Sequence, residues 1–183
     1  MLKYVLLGFL NYKPLTGYEL EGWINVSTGN FWHANLSQIY GTLKKLEEEA
    51  FVSSYIEPQE GRPDKRIYSI TEDGKADLRA WISKPFLEHE IKKDTLLLKI
   101  FFADPGDLDT ILTQLRLQLN LHREQLQRYQ LDPPQAMIEA ISAQPELMDN
   151  ARLWESARRF GVMYEEMYIR WIEETMQTVE SWR

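Results

Sequence analysis

Residues 33–50, HANLSQIYGTLKKLEEEA, decide how the rest of the chain is read. Leu36, Ile39, Leu43 and Leu46 recur at spacings of 3, 4 and 3, which lines them along one face of a helix. At about 100° per residue the opposite face carries Ser37, Gln38, Gly41, Lys44 and Lys45. A merely solvated helix shows charges of both signs at i,i+4, whereas this one offers short hydrogen-bonding groups, two cations and a notch. Glycine inside a helix costs about 1 kcal/mol relative to alanine, so Gly41 calls for a reason, such as a bulky body approaching the backbone. An amide, a hydroxyl and flanking cations are what a helix needs to lie in the DNA major groove. The plain alternative is an ordinary surface helix, and the surrounding chain decides between the two.

Upstream, residues 2–11 read as a short helix, apolar nearly all round and therefore buried, which Pro14 ends. Thr16 and Glu19 stand at capping-box spacing and open a helix to about Thr28, with Tyr18 in its first turn and Trp23 and Ile24 inward. Gly29 and Asn30 close it, and the bulk of Phe31 and Trp32 anchors the turn that follows. Downstream, FVSSYIE (51–57) and KRIYSI (65–70) are strand-like, and PQEGRPD (58–64) between them is a turn cluster. That predicts a β-hairpin with Gly61, Arg62, Lys65 and Arg66 at its tip. Thr71 caps one more helix, with Gly74, Leu78, Trp81 and Ile82 as its apolar stripe. Three helices, a two-stranded hairpin with a basic tip and then a helix make a winged helix-turn-helix. In that arrangement the tip lies beside the groove that the preceding helix enters, so Arg62, Lys65 and Arg66 are expected to neutralise phosphates or reach the minor groove.

Several short runs occur in one order: LLGFL (6–10), TGYEL (16–20), Phe31 with Trp32, SQIYGTLKKLE (37–47), Gly61 with Arg62, RIYSIT (66–71) and Gly74. Through residues 4–82 they resemble the PadR family of bacterial transcription regulators. The resemblance implies a dimeric winged-helix DNA binder, usually a repressor, and suggests that Tyr40 touches the DNA backbone. One departure is visible, because the family usually has glycine where Ala50 stands; an alanine forced to positive φ there costs on the order of 1 kcal/mol, and otherwise the helix simply runs on a little. The set expected to face DNA is Thr16, Tyr18, Asn35, Ser37, Gln38, Tyr40, Gly41, Lys44, Lys45, Arg62, Lys65 and Arg66. The amide of Gln38 is suited to an adenine edge.

Residues 83–90 read as a linker, and a helix builds from Ile91 to Phe102, too apolar to be left in water. After a turn and cap at 104–107, a long helix carries a heptad seam of Leu108, Leu112, Leu115, Leu119, His122, Leu126 and Tyr129, which residues 132–134 stop. A last helix, after a poorly patterned stretch containing Pro145, shows a seam of Trp154, Ala157, Gly161, Tyr164, Tyr168, Trp171, Thr175, Thr178 and Trp182. Such seams require partners, and a two-fold dimer would present two reading helices about one DNA turn (~34 Å) apart. Residues 91–102 and the last helix also resemble the C-terminal region of the longer PadR subfamily, which implies a dimer interface here. Leu96, Phe101, Phe102, Leu112, Leu119 and Trp171 are the residues assigned to it. In the last helix a small-residue gap at Ala157 and Gly161 is fenced by Trp154, Tyr164, Tyr168 and Trp171, with Arg158 or Arg159 near. A flat aromatic effector could stack there, although small residues more commonly admit a neighbouring helix and aromatic stripes are more commonly core. Relatives responsive to phenolic acids imply that some effector exists without locating it. His122, on an apolar seam, is expected to be a hydrogen-bonded core residue.

Composition removes most rivals. The 183 residues contain no cysteine and three scattered histidines, which excludes disulfides and thiolate catalysis and leaves no ligand-like spacing for a metal; no cofactor is expected. The apolar run at residues 4–10 is too short for a signal peptide, and no stretch suits a membrane span, so a cytoplasmic protein is expected. The net charge of −7 is uneven: residues 1–85 hold 10 Lys+Arg against 11 Asp+Glu, and residues 86–183 hold 11 against 17. The acid therefore sits mainly in the second half, and binding depends on local clusters of cations rather than on the total. Phosphate-loop, dinucleotide, zincin and serine-hydrolase motifs are all missing, and Glu47, Glu48 and Glu49 read as a solvated helix end rather than a catalytic pair.

The reading is thus a mainly α protein: a winged helix-turn-helix domain over 1–85 and a helical dimerisation and effector domain over 86–183. Its function is sequence-specific regulation of transcription as a homodimeric repressor on an inverted-repeat operator, with a small aromatic effector and no enzymatic activity. The alternative is a winged-helix module that binds protein without specific DNA binding.

Overall fold

The computed structural model describes residues 1–28, 31–61, 63–88, 93–130 and 148–182. The expectations placed on Gly29, Asn30, Arg62, Ile91, the 132–134 stop and Pro145 lie outside the described residues. The chain divides into two compact units, one holding Met1–Leu87 and the other Glu88–Pro133 with Asp149–Arg183.

In the first unit, α1 (Leu2–Leu10) buries Leu6, Leu7, Phe9 and Leu10. Strand β1 (Leu15–Thr16) runs into α2 (Gly17–Trp23), whose first turn is closed by the Thr16–Glu19 capping box. The helix then widens into π geometry over Ile24–Thr28, where the Ser27 and Thr28 hydroxyls bond the carbonyls of Trp23 and Ile24. Helix α3 (Leu36–Glu48) follows, then β2 (Val52–Glu57), β3 (Lys65–Ile70) and α4 (Glu72–Ser83). The hairpin is present, but its sheet has three strands in the order β1-β3-β2, because Leu15 and Thr16 pair antiparallel with Tyr68 and Ile67. Two residues are too short to show a period-two pattern, so sequence alone gives no third strand.

Helix α3 ends as its sequence warns. Ala50 has φ 60°, and the amides of Ala50 and Phe51 bond the carbonyls of Glu47 and Leu46, the two bonds of a Schellman motif. Thr71 caps α4, and Gly74 is required there because a Cβ would stand 2.2 Å from the Phe51 carbonyl oxygen. Two stripe expectations need correction. Trp81 stacks on Tyr4 at 4.5 Å between ring centroids rather than entering the core. Ile82, in the last turn of α4 beyond that stack, is 66% exposed. Phe31 is likewise mainly exposed, so Trp32 alone of that pair is half-buried.

In the second unit, α5 (Thr95–Phe101) starts where the Asp94 carboxylate accepts from the amides of Leu96 and Leu97. A 3₁₀ turn at Pro105–Asp107 leads into α6 (Leu108–Gln130), and α7 spans Met148–Glu180. The α6 seam faces inward as expected, with Leu112, Leu115 and Leu119 buried. The α7 seam is displaced by one residue at alternate turns. Gly161, Glu165, Tyr168, Ile172 and Val179 are buried, while Ala157, Thr178 and Trp182 are exposed. Following the aromatics misplaced the stripe because one inward position is a charged residue, Glu165, buried against His122. Leu96, Ile111, Leu115, Leu119, Tyr168 and Ile172 form the core of this unit. Among the described residues no helix is long and apolar enough to cross a membrane, and no group of three His, Asp or Glu is placed to hold a metal.

Candidate nucleic-acid interface

Helix α3 is held in place by its inner face. Ile39, Leu43 and Leu46 are buried, each contributing about 1.5–3 kcal/mol relative to exposure. The start of the helix is fixed twice. Asn35 caps it through its side chain, which accepts from the Gln38 amide at 2.9 Å, and Gln38 returns the bond to the Asn35 amide at 3.1 Å. Glu21, from α2, accepts from the Leu36 amide at 3.1 Å and places a carboxylate at the positive end of the helix dipole.

With that face fixed, Ser37, Gln38, Gly41, Lys44 and Lys45 are all exposed on the other. A Cβ at Gly41 would meet nothing within 4 Å, so no contact within the described chain accounts for the glycine. Lys44 sits 3.9 Å from Glu48, a loose exposed pair, and among the described residues Lys45 has no ion pair. Tyr40, half-exposed beside this face, lies over Gly17, where a Cβ would stand 2.6 Å from its ring. Tyr18 is mainly exposed at the start of α2, and the Thr16 hydroxyl is engaged with Glu19.

The wing separates its two described cations. Lys65 is exposed and pairs in register with Glu57 at the outer end of the hairpin. Arg66, still exposed, folds back toward α3: it meets Glu47 at 2.7 Å and donates to the Ser54 hydroxyl at 2.8 Å, and its guanidinium lies 5.5 Å from the centre of the Tyr68 ring. Ser54 in turn donates to Glu47 at 2.6 Å. This Ser54 bond, with Arg66 assisting against partial desolvation, holds the Glu47 carboxyl below its ordinary range. Arg66 therefore ties the wing to the end of α3 rather than standing at the tip, and Glu47 is not simply solvated. Period-two alternation is the signal that could have shown this, since Arg66 shares the face of buried Tyr68. Nothing in the sequence singled out Glu21.

The second unit contains a cavity of about 280 Å³, lined by His122, Tyr164, Tyr168, Lys93, Lys99 and Gln118 among others. Tyr168 donates to Asp94 at 2.6 Å and stacks on His122 at 4.1 Å. Burial first, and then the bond to Asp94, raises the Tyr168 phenol well above its ordinary value. His122 Nδ1 bonds the buried Glu165 carboxylate, as expected of a core histidine. Of the six residues assigned to an effector, only Tyr164 and Tyr168 line this cavity. Ala157 points to solvent, and Arg158 is engaged with Glu155 and the Tyr129 carbonyl. Trp154 and Gly161 are not among the lining residues. Of the dimer set, Leu96, Leu112 and Leu119 are already covered within the chain, whereas Phe101 and Phe102 are 79% and 75% exposed and Trp171 is partly buried.

A buried-faced helix with a cationic outer side, set in a winged helix-turn-helix, defines the class as a nucleic-acid-binding one. Residues 6–80 match the model of the "Transcriptional regulator PadR-like family", and residues 92–180 match that of "Virulence activator alpha C-term". The chain is 30% identical over 191 residues to the negative transcriptional regulator PadR of Bacillus subtilis, covering 99% of this chain and 98% of that protein. It is also 30% identical over 192 residues to a probable transcriptional regulator of Mycobacterium tuberculosis, covering 100% and 99%. The crystal structure of Bacillus subtilis PadR in complex with operator DNA superposes with a TM-score of 0.76 at 26% identity, covering 97% of this chain and 98% of that one. The structure of the same regulator in complex with p-coumaric acid gives 0.70 at 26%, covering 98% of each. The chain belongs to the PadR-like family and is a DNA-binding transcriptional regulator, not an enzyme.

Proposed function

We propose that the protein is a cytoplasmic homodimeric repressor that grips an inverted-repeat operator and changes its hold when a small aromatic acid binds. Residues 1–85 act on DNA, and residues 86–183 carry dimerisation and the effector. The observation that carries this is the outer face of α3, exposed along its length and bearing Ser37, Gln38, Gly41, Lys44 and Lys45. These residues enter the major groove; Tyr18, Tyr40, Arg62 and Lys65 hold the backbone, and Thr16, Asn35 and Arg66 fix the elements that carry them. The dimer forms through apolar surface left open in the second unit, where Leu153, Phe160, Met163 and Met167 follow one side of α7 and Phe101 and Phe102 end α5.

For the effector, the complex of the Bacillus relative with p-coumaric acid and the chemistry of the cavity support the same class of ligand. Tyr164 offers an aromatic face, and Lys93 and Lys99 offer cations to a carboxylate. Quenching of tryptophan fluorescence by p-coumarate, reduced in Tyr164→Ala, is the expected result; quenching that is unchanged in the variant would place the effector elsewhere.

DNA binding itself is tested by fluorescence anisotropy with the protein's own upstream DNA between ~50 and ~200 mM salt, where a protein making several phosphate contacts weakens steeply. Lys65→Ala should weaken binding to specific and random duplexes alike and make the salt slope shallower by about 1. No binding at low salt, or binding indifferent to salt, would favour a protein-binding module instead.

A further inference from the structure

The same capping box that starts α3 limits what Gln38 can read, and this inference rests on the DNA-reading role proposed above. A backbone N–H can only donate, so the Gln38 atom facing the Asn35 amide at 3.1 Å is its oxygen. The Asn35 side chain completes the box at 2.9 Å, so the glutamine is folded back over the first turn by two mutually supporting bonds. Its oxygen is engaged with the helix. Its nitrogen, on an exposed side chain, keeps both hydrogens without a partner among the described residues. One turn on, Gly41 leaves open space beside the same stripe.

A free glutamine recognises adenine with both ends of its amide, accepting from N6–H and donating to N7. A capped one has its oxygen drawn back to the Asn35 amide, with one lone pair taken, and presents its amine foremost. We infer that Gln38 reads its base by donation, choosing N7 and O6 of guanine, which take both of its hydrogens, or O4 of thymine, over adenine, where N7 alone accepts and the N6 amine beside it meets a second donor. The expectation drawn from residue type alone is thereby reversed. The cap also holds the side chain in one pose before DNA arrives, which lowers the ordering cost of the contact.

Gln38→Glu separates the two roles of this side chain. A glutamate oxygen still accepts from the Asn35 amide, and a carboxylate in the first turn suits the helix dipole, so the cap survives. The donor is lost, and the second oxygen can only accept. DNA bound by the full-length protein is selected from random duplexes, and each base pair of the selected site is then varied in turn. For the wild type the expected result is one position where guanine or thymine is preferred over adenine by roughly tenfold or more. Gln38→Ala should flatten that preference. Gln38→Glu should move it to a base carrying an amine, cytosine or adenine, while keeping the wild-type melting temperature. An adenine preference at the Gln38-dependent position, or no position that responds to Gln38 while specific binding persists, overturns the inference. Loss of all sequence preference in the wild type would instead overturn the DNA-reading role beneath it.

Discussion

Helices α3 and α7 are both amphipathic, and each buries one stripe against its own unit: Ile39, Leu43 and Leu46 in α3, Tyr168, Ile172 and Val179 in α7. What they leave open differs. The free side of α3 is an amide, a hydroxyl, a glycine and two lysines, whereas the free side of α7 carries Leu153, Phe160, Met163 and Met167. Apolar surface left in water costs about 25 cal/mol per Å², so an unbroken stripe of it calls for another apolar surface. A polar, cationic face has no such need of hydrocarbon and is matched by phosphate and base edges. The chemistry of the uncovered side, rather than amphipathicity itself, distinguishes the surface proposed for DNA from the surface proposed for a second copy.

That contrast breaks most readily on α7. Phe160→Glu combined with Met163→Glu puts charges into the apolar stripe, and sedimentation should then report a monomer. Losing the second half of a two-handed grip should lower DNA affinity by roughly 10²-fold or more, and a dimer of unchanged mass would remove α7 from the interface. Two glycines sharpen the other side of the contrast. Gly74→Ala forces a Cβ against the Phe51 carbonyl oxygen and should cost about 1–3 kcal/mol in chemical denaturation. Gly41→Ala meets open space and should stabilise the fold by up to about 1 kcal/mol while weakening DNA binding. Equal affinity in that variant would mean that nothing approaches the notch. Ala50→Gly relieves the positive φ at the end of α3 and should add about 0.5–1 kcal/mol, measured as a rise in the melting temperature.

The smallest effect concerns pH. Glu47 is held below its ordinary value by Ser54 and Arg66, so its contribution to stability is fully present above the unfolded glutamate range, about pH 4.3, and is lost as the pH falls through its lowered folded value. Glu47→Gln should therefore be less stable than the wild type by a few tenths of a kcal/mol near neutrality. The gap should close in acid, and denaturation curves at pH 7 and pH 3 would show it. A gap that widened in acid would contradict the wing-to-α3 tie.

The winged helix was legible because its signals are local. The period of α3, the Thr16 and Thr71 caps and the turn at residues 58–64 each specify structure within a few residues. The cost at Ala50 was signalled only by the resemblance, in which glycine is usual at that position. Less could be read wherever a side chain's role depends on a distant partner. Arg66 looks like a free cation until Glu47, nineteen residues away, is brought beside it. Glu165 looks like a solvent residue until His122 meets it across two helices, and this pair shifts the inferred α7 stripe. The cavity of the second unit could not be read for the same reason: Lys93, Lys99 and His122 come from α6 and the approach to and body of α5, which no pattern within the last helix could supply. Gln38 lies between these cases: Asn35 and Gln38 stand at capping spacing, but residue type alone does not say whether the amide turns to the cap or to a base.

Selection of bound duplexes from random DNA by the full-length wild type tests the central claim most directly. The expected result is an inverted repeat whose half-sites lie about one helical turn (~34 Å) apart. Enrichment of a single unpaired element, or of no sequence at all, would contradict it.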